Sequence, residues 1–510
     1  MKPLDQQRKG RGRESRCAND AHPPWCPRLN TFRFARRLRS GKRSIDDGLA
    51  SPSPRGIHEN GCSEEFIVQF AVDIWTHAGN CMDFCAPFEE KGLLDALMNV
   101  MKVSVASCSV DSQNTIILNA YTVLSSRTNF QLNKVERIPL TPGQYDISHR
   151  DESMLSLFAS AVIAVCPETH IPNIRVLLGL FIIMHLRGIV PAAQALGSII
   201  NKLASKSSSA ESCDLTLEEA LDVIFSTKLC ISTSDMSQRT NGTNNGSAMV
   251  ITDLCLGGAN DRLLQINAIC GLSWIGKGLL MCGQEKIKDI AMILIGCLKT
   301  EEQPLDPLVM KCAADAFNVL MSDSDVCLNK KFHAIIRPLY KQRFFSSMMP
   351  VFQQLITKSH PSFSRYFLYR AMAHTISDTP LSVILNDAKK LMPLLLDCLS
   401  ILTEDVQDKD ILYGLLLLLS GILTNKNGKE AVNENAHIIV NCLARLADYP
   451  HKTLVRETAI QCLLAMSELP HVRIYPMRTQ VLLSISKALD DKKRSVRREA
   501  IRCRHAWLVT

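Results

Sequence analysis

The chain has 510 residues, enough for several domains or one long repeat array, and its 46% apolar content fits a folded protein rather than a disordered one. Aromatic residues are scarce at 6%, while Leu, Ile, Ala and Ser abound, a balance that suits helices packed on helices better than sheets. The net charge of +8 belongs to one end: residues 1–60 hold fourteen Lys or Arg against six Asp or Glu, and the other 450 residues hold 44 of each sign, so the neutral body argues against direct nucleic-acid binding.

Residues 1–61 read as a disordered basic tail, interrupted by Pro23-Pro24 and Ser51-Pro52-Ser53-Pro54 and without a sustained period. Phe32–Arg39 has the pattern of a short basic helix, open to a targeting or nucleic-acid role, with a solvated terminus as the plainer reading. A helical-repeat region is expected over 62–231. Glu64–His77 sets Phe66, Ile67, Phe70, Ile74 and Trp75 largely on one helical face, and Gly92–Ala106 and Ser112–Leu124 follow it. Thr141-Pro142-Gly143 marks a loop. Glu152–Val165 is helical and stops at Cys166-Pro167. Pro172 opens the next helix, which runs through Arg187, because Pro is tolerated in a first turn. Pro191–Leu203 and Leu217–Phe225 are helical, with a flexible break at Lys206–Ser209 between them. Residues 232–260 form a polar loop rich in Ser, Thr, Asn and Gly. From 261 to 510 a C-terminal region of regular hairpins is expected, apart from Lys330–Phe345 and the turn Asn425–Gly428. The most apolar runs, Val176–Leu186 and Leu415–Leu423, are too short to cross a membrane, so none is expected as a partner.

One short phrase orders the last region. Val455-Arg456-Glu457-Thr458-Ala459 returns as Val496-Arg497-Arg498-Glu499-Ala500, about 41 residues later, within the roughly 40–47-residue period of HEAT and armadillo repeats. One helix is expected over Val455–Met466 and another over Met477–Leu489, with Asp490-Asp491 turning the chain into a third. Weaker copies place Leu264 with Ala268, Val309 with Ala313, Phe367 with Ala371 and Ile411 with Leu415, each pair four apart. The small residue lets one helix approach the next. The fold class is therefore all-α, a HEAT/armadillo-type helical-repeat solenoid with a basic N-terminal tail.

No catalytic constellation is present. Gly276-Lys277-Gly278 lies inside a helical run, without the preceding strand that a phosphate loop requires. His333, His374, His437 and His451 are each isolated and read as surface or packed histidines. The 19 cysteines are mostly single residues among Leu, Ile and Ala, where free Cys acts as a small buried hydrophobe, and they suggest a reducing cytosolic or nuclear setting. In that setting the glycosylation patterns at Asn241 and Asn245 are discounted. His77, Cys81 and Cys85 would share a helix face, and Cys17, His22 and Cys26 sit together in the tail, but neither supplies the four well-spaced ligands of a zinc site. No cofactor or metal is expected. The strongest surface signal is terminal. Lys492, Lys493, Arg494, Arg497, Arg498 and Arg502 gather against only Asp490, Asp491 and Glu499. They suit a polar capping hairpin, a docking face for an acidic partner, or both.

The words of this chain resemble those of a known family. CAADAFNVLMSDSDVCLNKKFHAIIRPLYKQRFF (Cys312–Phe345), LVRETAIQCLLAMSELPHVRIYPMRTQVL (Leu454–Leu482) and ALDDKKRSVRREAIRCRHAW (Ala488–Trp507) are similar to the C-terminal half of the methyl-methanesulfonate-sensitivity-nineteen family in its plant form, as are KGLLDALMNVMK (Lys91–Lys102), IAVCPETHIPNIRV (Ile163–Val176), AQALGSIINKL (Ala193–Leu203) and WIGKGLL (Trp274–Leu280). The resemblance runs from about Cys62 to Trp507, and the family's long N-terminal half has no counterpart. It implies a HEAT-repeat adaptor, not an enzyme, of the cytosolic iron–sulfur targeting complex. Such an adaptor would join a WD40-propeller subunit and a small assembly subunit through its C-terminal repeats. It would pass clusters to apo iron–sulfur clients such as DNA helicases and polymerases, in cytoplasm and nucleus. Two rivals are a general HEAT scaffold of transcription or transport, and an enzyme or metal carrier using Cys81 and Cys85.

Overall fold

The small residues of the repeated phrase set the architecture. The computed structural model describes residues 64–80, 91–128, 130, 132, 147–204, 215–226, 259–298, 306–358 and 362–509. Nine helices form one row, labelled here in chain order: α1 (Lys91–Ser107), α2 (His149–Ala164), α3 (Val190–Leu203), α4 (Ala259–Cys282), α5 (Pro307–Met321), α6 (Ser362–Ser377), α7 (Lys409–Thr424), α8 (Thr453–Met466) and α9 (Arg494–Val509). Each packs against the next. Ala268, Ala313, Ala371, Leu415, Ala459 and Ala500 lie on α4 to α9 in turn, and every one is fully buried. The repeat phrase thus marks the row helix of each repeat.

Other helices lie beside this row. Ala388–Ile401 packs on Lys429–Leu446, which packs on Arg478–Ala488. Tyr340–Lys358 leans on both α4 and α6, and Ile174–Leu186 on α3 and α4. The latter begins at Ile174 rather than at Pro172, because Asn173 takes a left-handed conformation, φ 47°, at its N-cap. Among the described residues there is no strand. The expected helix Met477–Leu489 is observed as Arg478–Ala488, preceded by a 3₁₀ turn at Tyr475–Met477.

The row is tightest at α3 and α4. A Cβ on Gly197 would lie 2.4 Å from the Trp274 carbonyl oxygen, and one on Gly278 would lie 2.3 Å from that of Gly197. Only glycine allows these backbones to touch. Lys277, beside Gly278, is 1% exposed and donates from Nζ to the carbonyl oxygens of Val319 (2.8 Å) and Ser322 on the neighbouring repeat. The glycine–lysine–glycine run is therefore a packing element. By length and apolarity alone, Arg262–Cys282 of α4 passes as a membrane span, which the sequence reading did not find; 83% of that window is buried against its neighbours, as befits a core helix.

Charge also enters the core. Arg370 of α6 donates from Nε to Asp315 of α5 at 2.6 Å and from Nη1 to Asp408, which precedes α7. His374 Nε2 lies 3.0 Å from the same Asp315 oxygen, and the Tyr366 hydroxyl donates to Asp408 at 2.7 Å. Four of these groups, Asp315, Arg370, His374 and Asp408, are buried. His374 is therefore packed, but within an ion cluster that its spacing does not reveal. Ten of the eleven cysteines among the described residues are buried too, between the helices of the repeats.

The tail 1–61, most of the polar loop 232–260, Lys206–Ser209 and Thr141–Gly143 lie outside the described residues. So do Cys17, His22, Cys26, Cys81, Cys85, Asn241 and Asn245.

Candidate interaction surface

The last hairpin is built around Asp491. Its carboxylate receives Arg456 Nε at 2.7 Å and Arg456 Nη2 at 3.2 Å from α8, and also the Lys493 amide at 2.7 Å. Its carbonyl oxygen receives Arg497 Nη1 at 2.6 Å. Burial raises the Asp491 pKa, but the hydrogen bonds from Arg456 and Lys493 and the charges of Arg456 and Arg497 outweigh it, so the carboxyl is held below its ordinary value. α9 then seats Val496, Ala500, Cys503 and Trp507, all fully buried and at helical spacing, while Trp507 Nε1 donates to the Leu463 carbonyl at 2.8 Å.

This frame sorts the six basic residues singled out by sequence. Arg497 is half-buried and engaged by Asp491. Arg498 and Arg502 are exposed, but their guanidiniums reach back to the buried Glu499, at 3.2 and 2.9 Å. Lys492, Lys493 and Arg494 are exposed, and their side chains make no ion pair among the described residues. Ile501, Leu508 and Val509 further along α9 and Leu483 of the preceding helix are also exposed. The terminal hairpin thus exposes cations at the start of α9, and apolar residues interspersed with Arg502, Arg504 and His505 toward its end. Next to it, a cleft of about 680 Å³ opens between Lys429–Leu446 and Arg478–Ala488, lined by Arg445, Asp448, His451, Gln480, Leu483 and Lys487 among others.

Sequence reasoning missed the hub role of Asp491 and the buried Glu499, which divide the cations into held and free. The available signal was the position of two acids inside a basic run. Asp315 and His374 are hydrogen-bonded like an acid–base pair, but both are buried, so the pair is structural. Among the described residues no three His, Cys, Asp or Glu side chains are placed to hold a metal ion.

Rows of stacked hairpins ending in a charged and apolar face define a HEAT/armadillo-type helical-repeat protein. A family model described as "RNAPII transcription regulator C-terminal", MMS19_C, matches residues 62–467, and the chain belongs to the MMS19 family. An Arabidopsis thaliana protein named "MMS19 nucleotide excision repair protein homolog" is 48% identical over 87% of this chain and 40% of its own length. The Xenopus laevis and Homo sapiens proteins of that name are 32% and 29% identical over 48% and 47% of this chain, each covering 22% of the relative. The chain therefore spans less than half the length of these relatives. Its fold is similar to that of a designed armadillo repeat protein (16% identity, TM-score 0.31, 50% of this chain and 96% of that one). It is also similar to Kap121p in its crystal structure with RanGTP (10% identity, TM-score 0.40, 88% of this chain and 41% of that one). The family match stops at Ser467, short of the terminal hairpin.

Proposed function

We propose that this chain is an interaction scaffold of cytosolic iron–sulfur protein assembly, supporting DNA repair, with no catalytic step of its own. In this reading it holds the WD40-propeller and small assembly subunits of the targeting complex, so that clusters reach apo-proteins such as DNA helicases and polymerases in cytoplasm and nucleus. The observation that carries the reading is the free cationic group of Lys492, Lys493 and Arg494 on a hairpin that also exposes Ile501 and Leu483. Charge complementarity there would steer an acidic partner, and the apolar residues would give it contact area.

The test is co-purification of the full chain with the two assembly subunits, with and without Lys492→Glu, Lys493→Glu and Arg494→Glu together. Capture that falls at least tenfold on reversal, and weakens with salt, supports docking at this face. Undiminished capture leaves the scaffold reading and removes the face from it. No capture by the unaltered chain would refute the assembly role for this chain. A second reading, a scaffold of transcription, is favoured by the wording of the family description. It requires the chain to capture RNA polymerase II components in place of the assembly subunits.

A further inference from the structure

The connection from Ser322 to Leu339, between α5 and Tyr340–Lys358, is longer than any other fully described connection in the row, and it does not simply join its neighbours. It turns back over the earlier helices. Arg337 N donates to the Met281 carbonyl of α4 at 2.8 Å. On α3, Asn201 binds Ile335 at both ends: its Nδ2 donates to the Ile335 carbonyl at 2.9 Å, and its Oδ1 accepts from the Ile335 amide at 2.7 Å. On α1, Lys102 Nζ donates to the Val326 carbonyl at 3.2 Å, and His333 Nε2 lies 3.0 Å from the Ala106 carbonyl oxygen, to which it donates. The short turn Lys330–Phe332 also packs on α2. Cys327, Leu328 and Phe332 of the segment are themselves buried.

Its backbone is unusual as well. Leu328 (φ 52°), His333 (φ 55°) and Leu339 (φ 61°) are three of the four non-glycine residues with left-handed φ among the described residues. Bulky side chains hold that conformation only where the surroundings over-determine it. A helical repeat normally meets only its neighbours, so its stability is a sum of local terms. Here a segment rooted on the fifth helix of the row is bonded to the fourth, third and first. α1 cannot part from the array without breaking contacts to residues more than two hundred positions away. Beyond Tyr340 the named ties between repeats join an adjacent repeat or the next one, as with Arg370 to Asp315 and Asp408, Arg456 to Asp491 and Trp507 to Leu463.

We propose that Ser322–Leu339 is a clamp that makes α1 to α5 one cooperative, rigid block and confines shape change in this solenoid to the repeats after it. The test is hydrogen exchange of the full chain, read helix by helix against urea. In the unaltered protein the amides of α1 to α5 are expected to share one opening reaction with one urea dependence, whereas α6 to α9 open in a graded series. A graded series through α1 to α5 as well would overturn the proposal, without any variant having to fold. The paired variant Asn201→Leu with His333→Ala sharpens the result. Exchange in α1 and alkylation of Cys327 should both quicken at least tenfold, while α8 and Cys462 keep their rates. An unchanged α1 would make the segment a passenger, and equal quickening in α8 would mean a general loss of stability. Either result refutes the clamp.

Discussion

Arg456 and Asp491 meet edge to edge across the joint between the last two repeats, with two nitrogens of one side chain bonded to both carboxylate oxygens of the other. Arg456 is the second residue of the repeated phrase and Asp491 lies in the turn before its next copy, so the pair ties sequence period to spatial period. Both side chains are at least 87% buried. Arg456→Met should cost about 2–3 kcal/mol, the range for a hydrogen-bonded charged group, and the loss should appear first in hydrogen exchange of α9. The Asp491 contribution is complete above its unfolded pKa of about 4 and fades as pH falls through the lower folded value, so Asp491→Asn should flatten the acid limb of a stability–pH curve.

Arg370 lies between Asp315 and Asp408 and donates to both carboxylates. Burial raises the Asp315 pKa, but the charge of Arg370 and the hydrogen bond from His374 outweigh it and hold the carboxyl well below the ordinary range. Arg370→Leu would leave two buried carboxylates without their cation, and a loss of about 3–5 kcal/mol is expected in urea unfolding. Replacing Asp315, Arg370 and Asp408 together by Leu should recover part of that loss, because no unpaired charge then remains buried. A triple variant no better than the single one would show that the cluster is needed for packing geometry rather than for charge balance.

Burial pushes the Lys202 ammonium down to about 7 and Lys277 down to about 8. The unfolded chain titrates near 10.4, so between about pH 7 and 10 it binds more protons than the folded one, and stability rises with pH through that window. Lys202→Met should flatten the rise by up to a few kcal/mol, with the variant gaining most on the unaltered protein near pH 6. The Ile163 carbonyl, which Lys202 serves at 2.7 Å, keeps a second donor in Ser198 Oγ at 3.2 Å. Urea midpoints at pH 6 and pH 9.5 decide it; a difference between the two proteins that does not change with pH would refute the assignment.

Gly197→Ala should lower stability by about 2–3 kcal/mol, since α3 and α4 must move apart to admit a methyl group. Gly92→Ala is the matched control: a Cβ there meets nothing within 4 Å, and alanine is the better helix former. Thermal unfolding of both variants should show one clear loss and one value at or slightly above the parent.

What was legible in the sequence was what repeats locally. Val455 and Ala459 recur in place because each repeat solves the same contact, and their spacing gave both the period and the buried face. Helix ends moved by a residue or two, as at Thr453 for Val455, because capping and 3₁₀ turns set them. The Ser322–Leu339 segment showed only as an irregular interval, because Asn201 and Lys102 act across more than one hundred residues and leave no period. The Asp315–Arg370–Asp408 cluster was hidden for a related reason: a charge inside an apolar helix looks like a surface residue until its partner on the next helix is known. At the terminal site the sequence supplied both the cluster of cations and the acids Asp490, Asp491 and Glu499 among them, but not which cations Asp491 and Glu499 hold and which they leave free.

Ten of the eleven described cysteines of this fold are held out of reach. Burial drives Cys297, Cys462 and Cys503 to about 12 and Cys108, Cys282, Cys327 and Cys442 to about 11, so near neutral pH these thiols stay protonated. A dissolved metal ion or a peroxide that meets the described surface finds almost no thiolate there. The sulfur packed into the described repeats thereby serves as filling rather than as chemistry, a poor ligand for passing metal and a slow target for oxidants.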